Sequence, residues 1–474
     1  MVWTTVSIVV RSVVSLLQIT ILTRYLEKSE FGLVAIATVF IGFTQLFLDL
    51  GVSVGIMHKQ DTTPKVYSSL FWLNIITGFL LTAILCLISP LVANAYNEPS
   101  LTNILILLSL SVFFSSLGAQ HRTVQQKNMR FLYISVVEIA SSILTFCVAV
   151  YTAMHGYGVY SLVYSTLFNA VFSNVVFLII GLYKDRNISF HFKLKETFPF
   201  LKIGVFSIGS SVLDYFSREI DTIIISATFG MEVLGVYNLC KKIVQMLFRI
   251  VNQLLTKVMT PIFAKLQKGA DVMRDAMYKV MQGIALLNFP IYVLLAILSM
   301  GVLNFLYGSQ YQESYLLLSL LALYYGYISP ASVTGGLQVA MGRTDVGFYW
   351  TIVRIISNSL AVFIGSFFSI EVIVISLFLS CILVGPVAWH IMIRPLVGGR
   401  FWDYFLIPFK PFVYTVLIGL PFYYFFWDTI ELGWMIVCGV GFMAVYCGMI
   451  WLFYRNTFFV KSLLPQMLLF VKRK

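Results

Sequence analysis

The chain has 474 residues, of which 59% are apolar and only 11% charged, with a mean hydropathy of +0.90 and a formal net charge of +12. No water-soluble globular domain carries that balance, and hydrophobic runs of roughly 17 to 25 residues recur from end to end. The alternation of a membrane β-barrel is absent. The expectation is therefore an all-α integral membrane protein whose backbone groups are satisfied inside helices.

In chain order, fourteen helices are expected near residues 3–25, 31–57, 66–94, 101–119, 131–153, 157–183, 201–228, 233–259, 275–306, 313–341, 346–368, 372–393, 411–426 and 433–453. The first is read as a retained helix, because no basic flank or small-residue cleavage site marks it as a signal peptide. It carries Thr4, Ser7, Arg11, Ser15 and Gln18 at spacings of three or four, which is one polar stripe on a helix. The second carries Thr38, Gln45, Asp49 and Ser53, and the fifth Ser135, Glu138, Ser142 and Thr145. Stripes on the seventh and eighth are the strongest: Ser207, Ser211, Asp214, Arg218, Asp221 and Thr222, then Asn238, Lys241, Lys242, Gln245, Arg249, Asn252, Gln253 and Thr256. The eleventh repeats the pattern with Thr351, Arg354 and Asn358. A single polar residue in a membrane helix commonly ties it to a neighbour. A charged stripe along most of a helix points instead to a watered cavity.

Seven cations fall inside these spans: Arg11, Arg218, Lys241, Lys242, Arg249, Lys257 and Arg354. Each costs about 2.5 kcal/mol or more at bilayer depth, so each should face water, a counter-charge or an anionic cargo. Lys241, Lys242 and Lys257 lie toward helix ends, where a long side chain can reach the interface. Arg11, Arg218, Arg249 and Arg354 lie deeper. Asp214 and Arg218 are four residues apart and within pairing reach on one helix. Asp49, Glu138 and Asp221 lack such a partner on their own helix. They are candidates for binding H⁺ or Na⁺, with pairing across helices as the alternative.

One set of alternate loops, with the stretch after Arg455, carries most of the 32 Lys and Arg residues, among them Lys59, Lys65, Arg122, Lys127, Arg130, Lys193, Lys195, Lys265 and Lys410. The opposite set has only Arg24 and Lys28 and is otherwise acidic. By the positive-inside bias both termini are expected in the cytoplasm, which requires an even number of spans. The net charge thus reports topology. Nucleic acid is not an expected partner, because the loops are short and present no groove-binding fold.

An internal echo accompanies this pattern. "EFGLV" around Gly32 and "VLGVY" around Gly235 align at an offset of 203 residues, and "QQKNMRF" and "MGRTDVGF" form comparable basic turns. The expected organisation is two six-helix bundles, 1–200 and 201–395, related by an axis along the membrane normal, with a terminal helix pair and basic tail at 396–474.

No nucleotide-binding loop is present, and neither the six cysteines nor the five histidines show metal-ligand spacing. The extracytoplasmic loops leave no platform for a catalytic domain. A non-enzyme is expected, with no cofactor apart from a coupling H⁺ or Na⁺.

The segments "ILTRYLEKSEFGLVAIATVF", "LDLGVSVGIMHKQ", "LFWLNIITG", "HRTVQQKNMRF", "GVYNLCKKIVQ", "LNFPIYVLL" and "LYGSQYQES" resemble the Wzx-type oligosaccharide flippases. More narrowly, they resemble the branch with the colanic acid and teichuronic acid exporters, in the superfamily that also holds multidrug exporters and the lipid II flippase. The resemblance implies a multi-pass protein of the bacterial cytoplasmic membrane, with two bundles forming a V around a central cavity. The implied cargo is an undecaprenyl-diphosphate-linked oligosaccharide, moved to the outer leaflet for polysaccharide biosynthesis among membrane lipids and the polysaccharide polymerase machinery. Residue pattern and resemblance converge on alternating access through a cationic chamber. Its expected substrate-binding residues are Arg11, Arg218, Lys241, Lys242, Arg249 and Arg354 with Gln18, Gln45 and Gln245. The competing readings are a lipid II-type flippase, a multidrug exporter and a membrane-embedded glycan polymerase.

Overall fold

The computed structural model describes residues 2–58, 63–185, 189–265 and 269–454, and regular structure among them is helical throughout. The first helices are α1 (Val2–Leu22), α2 (Lys28–Leu48), α3 (Val52–His58), α4 (Pro64–Ala95), α5 (Ser100–Lys127), α6 (Phe131–Met154) and α7 (Tyr160–Ile180). A long stretch, α8 (Leu194–Lys265), follows. Then come α9 (Ala270–Ile297), α10 (Ser299–Tyr307), α11 (Tyr315–Ile328), α12 (Val333–Ala340), α13 (Thr344–Ser366), α14 (Ile370–Leu383), the short α15 (Gly385–Ala388) and α16 (Arg394–Val397), α17 (Phe401–Phe426) and α18 (Leu432–Tyr454).

Among the described residues twelve helices are long and apolar enough to cross a bilayer. The pair Ile370–Leu383 and Gly385–Val397, bent by 45°, passes the same test when taken together, which brings the number to thirteen if it is one span. One of the twelve, Ser211–Arg249, has 39 residues. Straight, it would measure about 58 Å, nearly twice the hydrocarbon thickness. Gly230 interrupts it with φ 81 and ψ −179, a backbone that a residue with a Cβ avoids. The expected helices near 201–228 and 233–259 both fall on this stretch, one on each side of the break.

Several boundaries differ from expectation, each for a local reason. The second expected helix divides at Leu50 and Gly51, whose φ values of 43 and 74 end α2 before α3 begins. The fourth does not stop at residue 119. Gln120 to Lys127 contain no Gly or Pro and several good helix formers, so α5 runs on and carries Arg122 and Lys127, which the sequence had assigned to a loop. Likewise α17 starts at Phe401 and passes through Pro408 and Pro411, taking Lys410 out of the expected loop.

The chain forms two compact units, Met1–Asn238 and Leu239–Lys474. The expected joint at 200/201 falls within α8. In the first unit α5 is central and packs on α4, α7, α2 and α3, while α1 packs on α6 and α6 on α7. Close approach uses small residues, as where Gly118 faces the backbone of Asn174 and Gly78 faces Ser116. Glu30 joins two helix starts: its carboxylate accepts from the Glu27 N–H at 2.8 Å and from the Val159 N–H at 2.7 Å.

The connection from α7 to α8 is clamped onto α4. Trp72 Nε1 donates to the Ser189 carbonyl at 3.0 Å, and the Trp72 ring stacks on Phe190 at 5.8 Å. Ser69 Oγ accepts from the Lys193 N–H at 3.1 Å and donates to Glu196 at 2.8 Å. His191 Nε2 meets both oxygens of the same carboxylate at 3.1 Å.

The sequence echo has a physical counterpart. A Cβ on Gly32 would overlap the Met231 carbonyl oxygen, and a Cβ on Gly235 would overlap the Lys28 carbonyl oxygen. Residues 28 and 32 correspond to 231 and 235 at the offset of 203. The contact is therefore reciprocal, as at a local two-fold axis, and both glycines are required by backbone proximity. Lys28 Nζ and the Glu232 carboxylate, 3.9 Å apart, flank it.

In the second unit α9 packs on α17 and α11, α13 on α14, and α18 on α17. Its core is aromatic, with Phe289, Tyr292, Phe442 and Tyr446 fully buried. Two buried hydroxyls there find carbonyl acceptors: Tyr446 donates to Leu286 at 2.8 Å and Ser319 to Ala296 at 2.8 Å.

Candidate functional site

The first unit assembles one charged constellation from three helices. Glu138, one turn and more inside α6, lies where α1 packs alongside. Its Oε2 accepts from Arg11 Nη1 at 2.9 Å and from Ser7 Oγ at 3.2 Å. Its Oε1 accepts from Arg122 Nη2, on α5, at 2.5 Å. The Glu138 side chain is 16% exposed, while those of Arg11 and Arg122 are 46% and 53% exposed. Two guanidiniums share one carboxylate, so a positive charge is left over, and about half of each arginine side chain remains exposed. Charge-assisted bonds of this kind are the strong ones, and a planar guanidinium can add a second, parallel bond to a phosphate or carboxylate.

Arg122 was absent from the residues picked out by sequence. The available signal was the helix-forming run after residue 119, which keeps Arg122 on the same helix as Gln120 and Thr123. Glu138, expected as an ion-coupling candidate, is engaged here by two arginines.

The remaining expected residues of the first unit are dispersed. Arg218 pairs with Asp214 on its own helix at 2.7 Å. Asp49 caps α3, accepting from the Ser53 N–H at 3.1 Å and the Ser53 hydroxyl at 2.6 Å; that hydroxyl is in turn 2.8 Å from Thr123 Oγ1. Gln18 Nε2 donates to Ser165 Oγ at 3.4 Å, joining α1 to α7, and Gln45 is exposed. Asp221 is 7% exposed and accepts from the Tyr237 hydroxyl at 2.5 Å and the Thr222 N–H at 2.7 Å. The Tyr237 bond crosses the Gly230 break and ties its two sides together.

In the second unit Lys241 is buried, whereas Lys242 and Arg249 are exposed with no ion pair among the described residues. Gln245 Nε2 donates to the Tyr325 hydroxyl at 3.1 Å, and Arg354 is half-buried on α13. The side chains of Asn252, Gln253, Thr256 and Lys257 lie outside the described residues. A hollow of about 340 Å³ is lined by Tyr315, Leu420, Tyr423, Tyr424 and Trp427; its lining is aromatic and apolar and carries no charged side chain. Among the described residues no three His, Cys, Asp or Glu side chains gather as a metal-binding set.

Comparison with known proteins fits this architecture. Residues 21–316 match the family described as polysaccharide biosynthesis protein. The chain is 25% identical over 411 residues to the lipopolysaccharide biosynthesis protein WzxC of Escherichia coli (strain K12), covering 86% of this chain and 83% of that one. It is 26% identical over 423 residues to the teichuronic acid biosynthesis protein TuaB of Bacillus subtilis (strain 168), covering 88% and 86%. In fold it is similar to the lipid II flippase MurJ in an inward closed conformation, with a TM-score of 0.76 at 15% identity, over 96% of this chain and 99% of that one.

Proposed function

This chain belongs to the polysaccharide biosynthesis protein family, and from that premise we propose that it is a flippase for lipid-linked oligosaccharides. It takes an undecaprenyl-diphosphate-linked repeat unit from the inner leaflet of the bacterial cytoplasmic membrane and delivers it to the outer leaflet by alternating access. Both termini face the cytoplasm in this reading, as the loop charges favour. The observation that carries it is the surplus positive charge of Arg11 and Arg122 around one carboxylate, on helices long and apolar enough to cross a bilayer, in a fold similar to that of the lipid II flippase MurJ. A cation held there needs an anion, and the diphosphate or any acidic sugar of the cargo supplies one. An exporter of cationic drugs would gain nothing from it.

In this reading the exposed Gln45 replaces part of the sugars' hydration in the first unit, and the exposed Lys242 and Arg249 give the second unit cationic character of its own. Of the three acids considered for coupling, Glu138 is engaged by two arginines and Asp49 by a helix start. Asp221 is also hydrogen-bonded, but it is buried and its bond to Tyr237 bridges the Gly230 break, so it is the H⁺ or Na⁺ site this reading takes. Asp221→Asn is expected to uncouple transport from an imposed ion gradient; transport that still follows the gradient would exclude that role.

Deleting the protein from its host and analysing lipid extracts tests the function. The expected result is accumulation of one lipid-linked oligosaccharide, restored to normal by the intact chain. An unchanged lipid pool, with polysaccharide output intact, would refute the reading.

A further inference from the structure

Arg11 and Arg122 bind Glu138 in an incomplete way. Arg11 uses Nη1 alone and Arg122 uses Nη2 alone, so neither makes the paired parallel bonds that a guanidinium and a carboxylate can form. Glu138 spends one oxygen on each arginine and, among the described residues, is the sole acid in the constellation. The three charges come from α1, α5 and α6, so no single helix fixes them. Both arginine side chains stay about half exposed, and each gives Glu138 a single N–H.

We propose that Glu138 is a resident counter-anion which the cargo's own anionic group displaces. The assignment rests on the flippase reading above and adds what Glu138 does in it. A diphosphate carries more charge than one carboxylate and can present paired oxygens to each guanidinium. It therefore replaces Glu138 on Arg11 and Arg122 when the cargo arrives. Glu138 also keeps the site from holding too tightly. Because both arginines can offer the cargo their full charge and paired N–H groups only in the fraction of molecules where Glu138 has let go, apparent affinity falls with that fraction. A translocation site must bind firmly enough to load and weakly enough to empty, and the return of Glu138 to both arginines favours emptying. Carboxylates on the glycan offer the same anionic chemistry as the diphosphate, so the displacing group has two sources.

The test uses the purified full-length protein in lipid nanodiscs with two separate probes, undecaprenyl diphosphate and a free glucuronate-containing oligosaccharide. Glu138→Gln keeps the side chain's size and removes its charge. It is expected to bind undecaprenyl diphosphate at least about tenfold more tightly than the unaltered protein and to release it more slowly. Adding Arg122→Gln to that variant should cancel the gain, and Glu138→Asp, which keeps the charge, should restore ordinary affinity. A gain seen with the glucuronate probe alone still supports displacement and assigns the displacing anion to the glycan. Unchanged or weaker binding of both probes by a folded Glu138→Gln protein would overturn the proposal and make Glu138 a structural brace. If the unaltered protein binds neither probe, the flippase reading falls as well, whereas binding without a gain in Glu138→Gln removes displacement alone.

Discussion

Arg11 and Arg218 both sit on membrane helices, and both meet a carboxylate, yet the two pairs are built differently. Arg218 and Asp214 are one turn apart on α8, at 2.7 Å, and Asp214 serves Arg218 from the same helix. Arg11 reaches from α1 to Glu138 on α6, and Glu138 must also serve Arg122 from α5. The first arrangement neutralises charge locally and survives any movement of the helix as a body. The second leaves positive charge over and depends on three helices staying in register. A charge satisfied within one helix is a way of tolerating the membrane. A charge shared among three, and not fully compensated, is available for work.

The largest effect that would sharpen or break this contrast is on export. Arg11→Ala is expected to abolish polysaccharide export in a deletion host while the protein still reaches the membrane. Arg218→Ala is expected to keep export within about twofold, as loss of an exposed one-helix pair is cheap. Assaying surface polysaccharide alongside membrane-fraction immunoblots checks both. Equal losses in the two variants would erase the distinction.

A smaller effect is expected on stability. Glu138→Ala leaves two guanidiniums facing each other without a counter-charge and should cost about 2 kcal/mol, below the cost of breaking a fully buried pair because both arginines are half exposed. Asp214→Ala should cost about 0.5 kcal/mol or less. Thermal unfolding of the detergent-purified variants measures both, and a larger loss for Asp214→Ala would reverse the ranking.

The smallest effect concerns a third carboxylate, Glu196, at the clamp between α7 and α8. The hydrogen bond from Ser69, then the bond and charge of His191 and the charge of Lys193, hold its pKa below the ordinary 4.5. A depressed carboxyl pKa means that the folded state prefers the ionised form. The contribution is therefore complete above the ordinary value and is lost as pH falls through the depressed one. Hydrogen exchange over residues 189–196 should speed up when pH is lowered through that range. Glu196→Gln should already show the faster exchange at neutral pH. Exchange in that variant as slow as in the unaltered chain would deny the clamp its ionised carboxylate.

The contrast also explains what was legible in the sequence. The all-helical, membrane-spanning character follows from hydrophobic length alone. Fourteen spans were expected, whereas twelve or thirteen are found among the described residues, the expected helices near 201–228 and 233–259 falling on one long stretch. The Asp214–Arg218 pair follows from a spacing of four. Glu138 stood out as an acid without a partner on its helix, which is a correct description of one helix and silent about the other two. Arg122 was misassigned because its neighbours are polar, although they are good helix formers, and so the second arginine of the constellation was missed. The Gly32 and Gly235 echo gave the offset between the repeats. That the two glycines meet, each against the other's preceding turn, is a property of packing that no spacing encodes. Leu50 and Gly51 broke the second helix through backbone conformation, which the apolar run around them concealed.

Movement of a lipid-linked glycan between leaflets can itself be measured. Purified protein is reconstituted into liposomes loaded on one leaflet with an undecaprenyl-diphosphate-linked oligosaccharide, and its arrival on the other leaflet is followed with a membrane-impermeant glycosidase. Transfer well above protein-free liposomes, lost in Arg11→Ala, is the expected result. Transfer no faster than in protein-free liposomes, under an imposed H⁺ or Na⁺ gradient as well as without one, would contradict it.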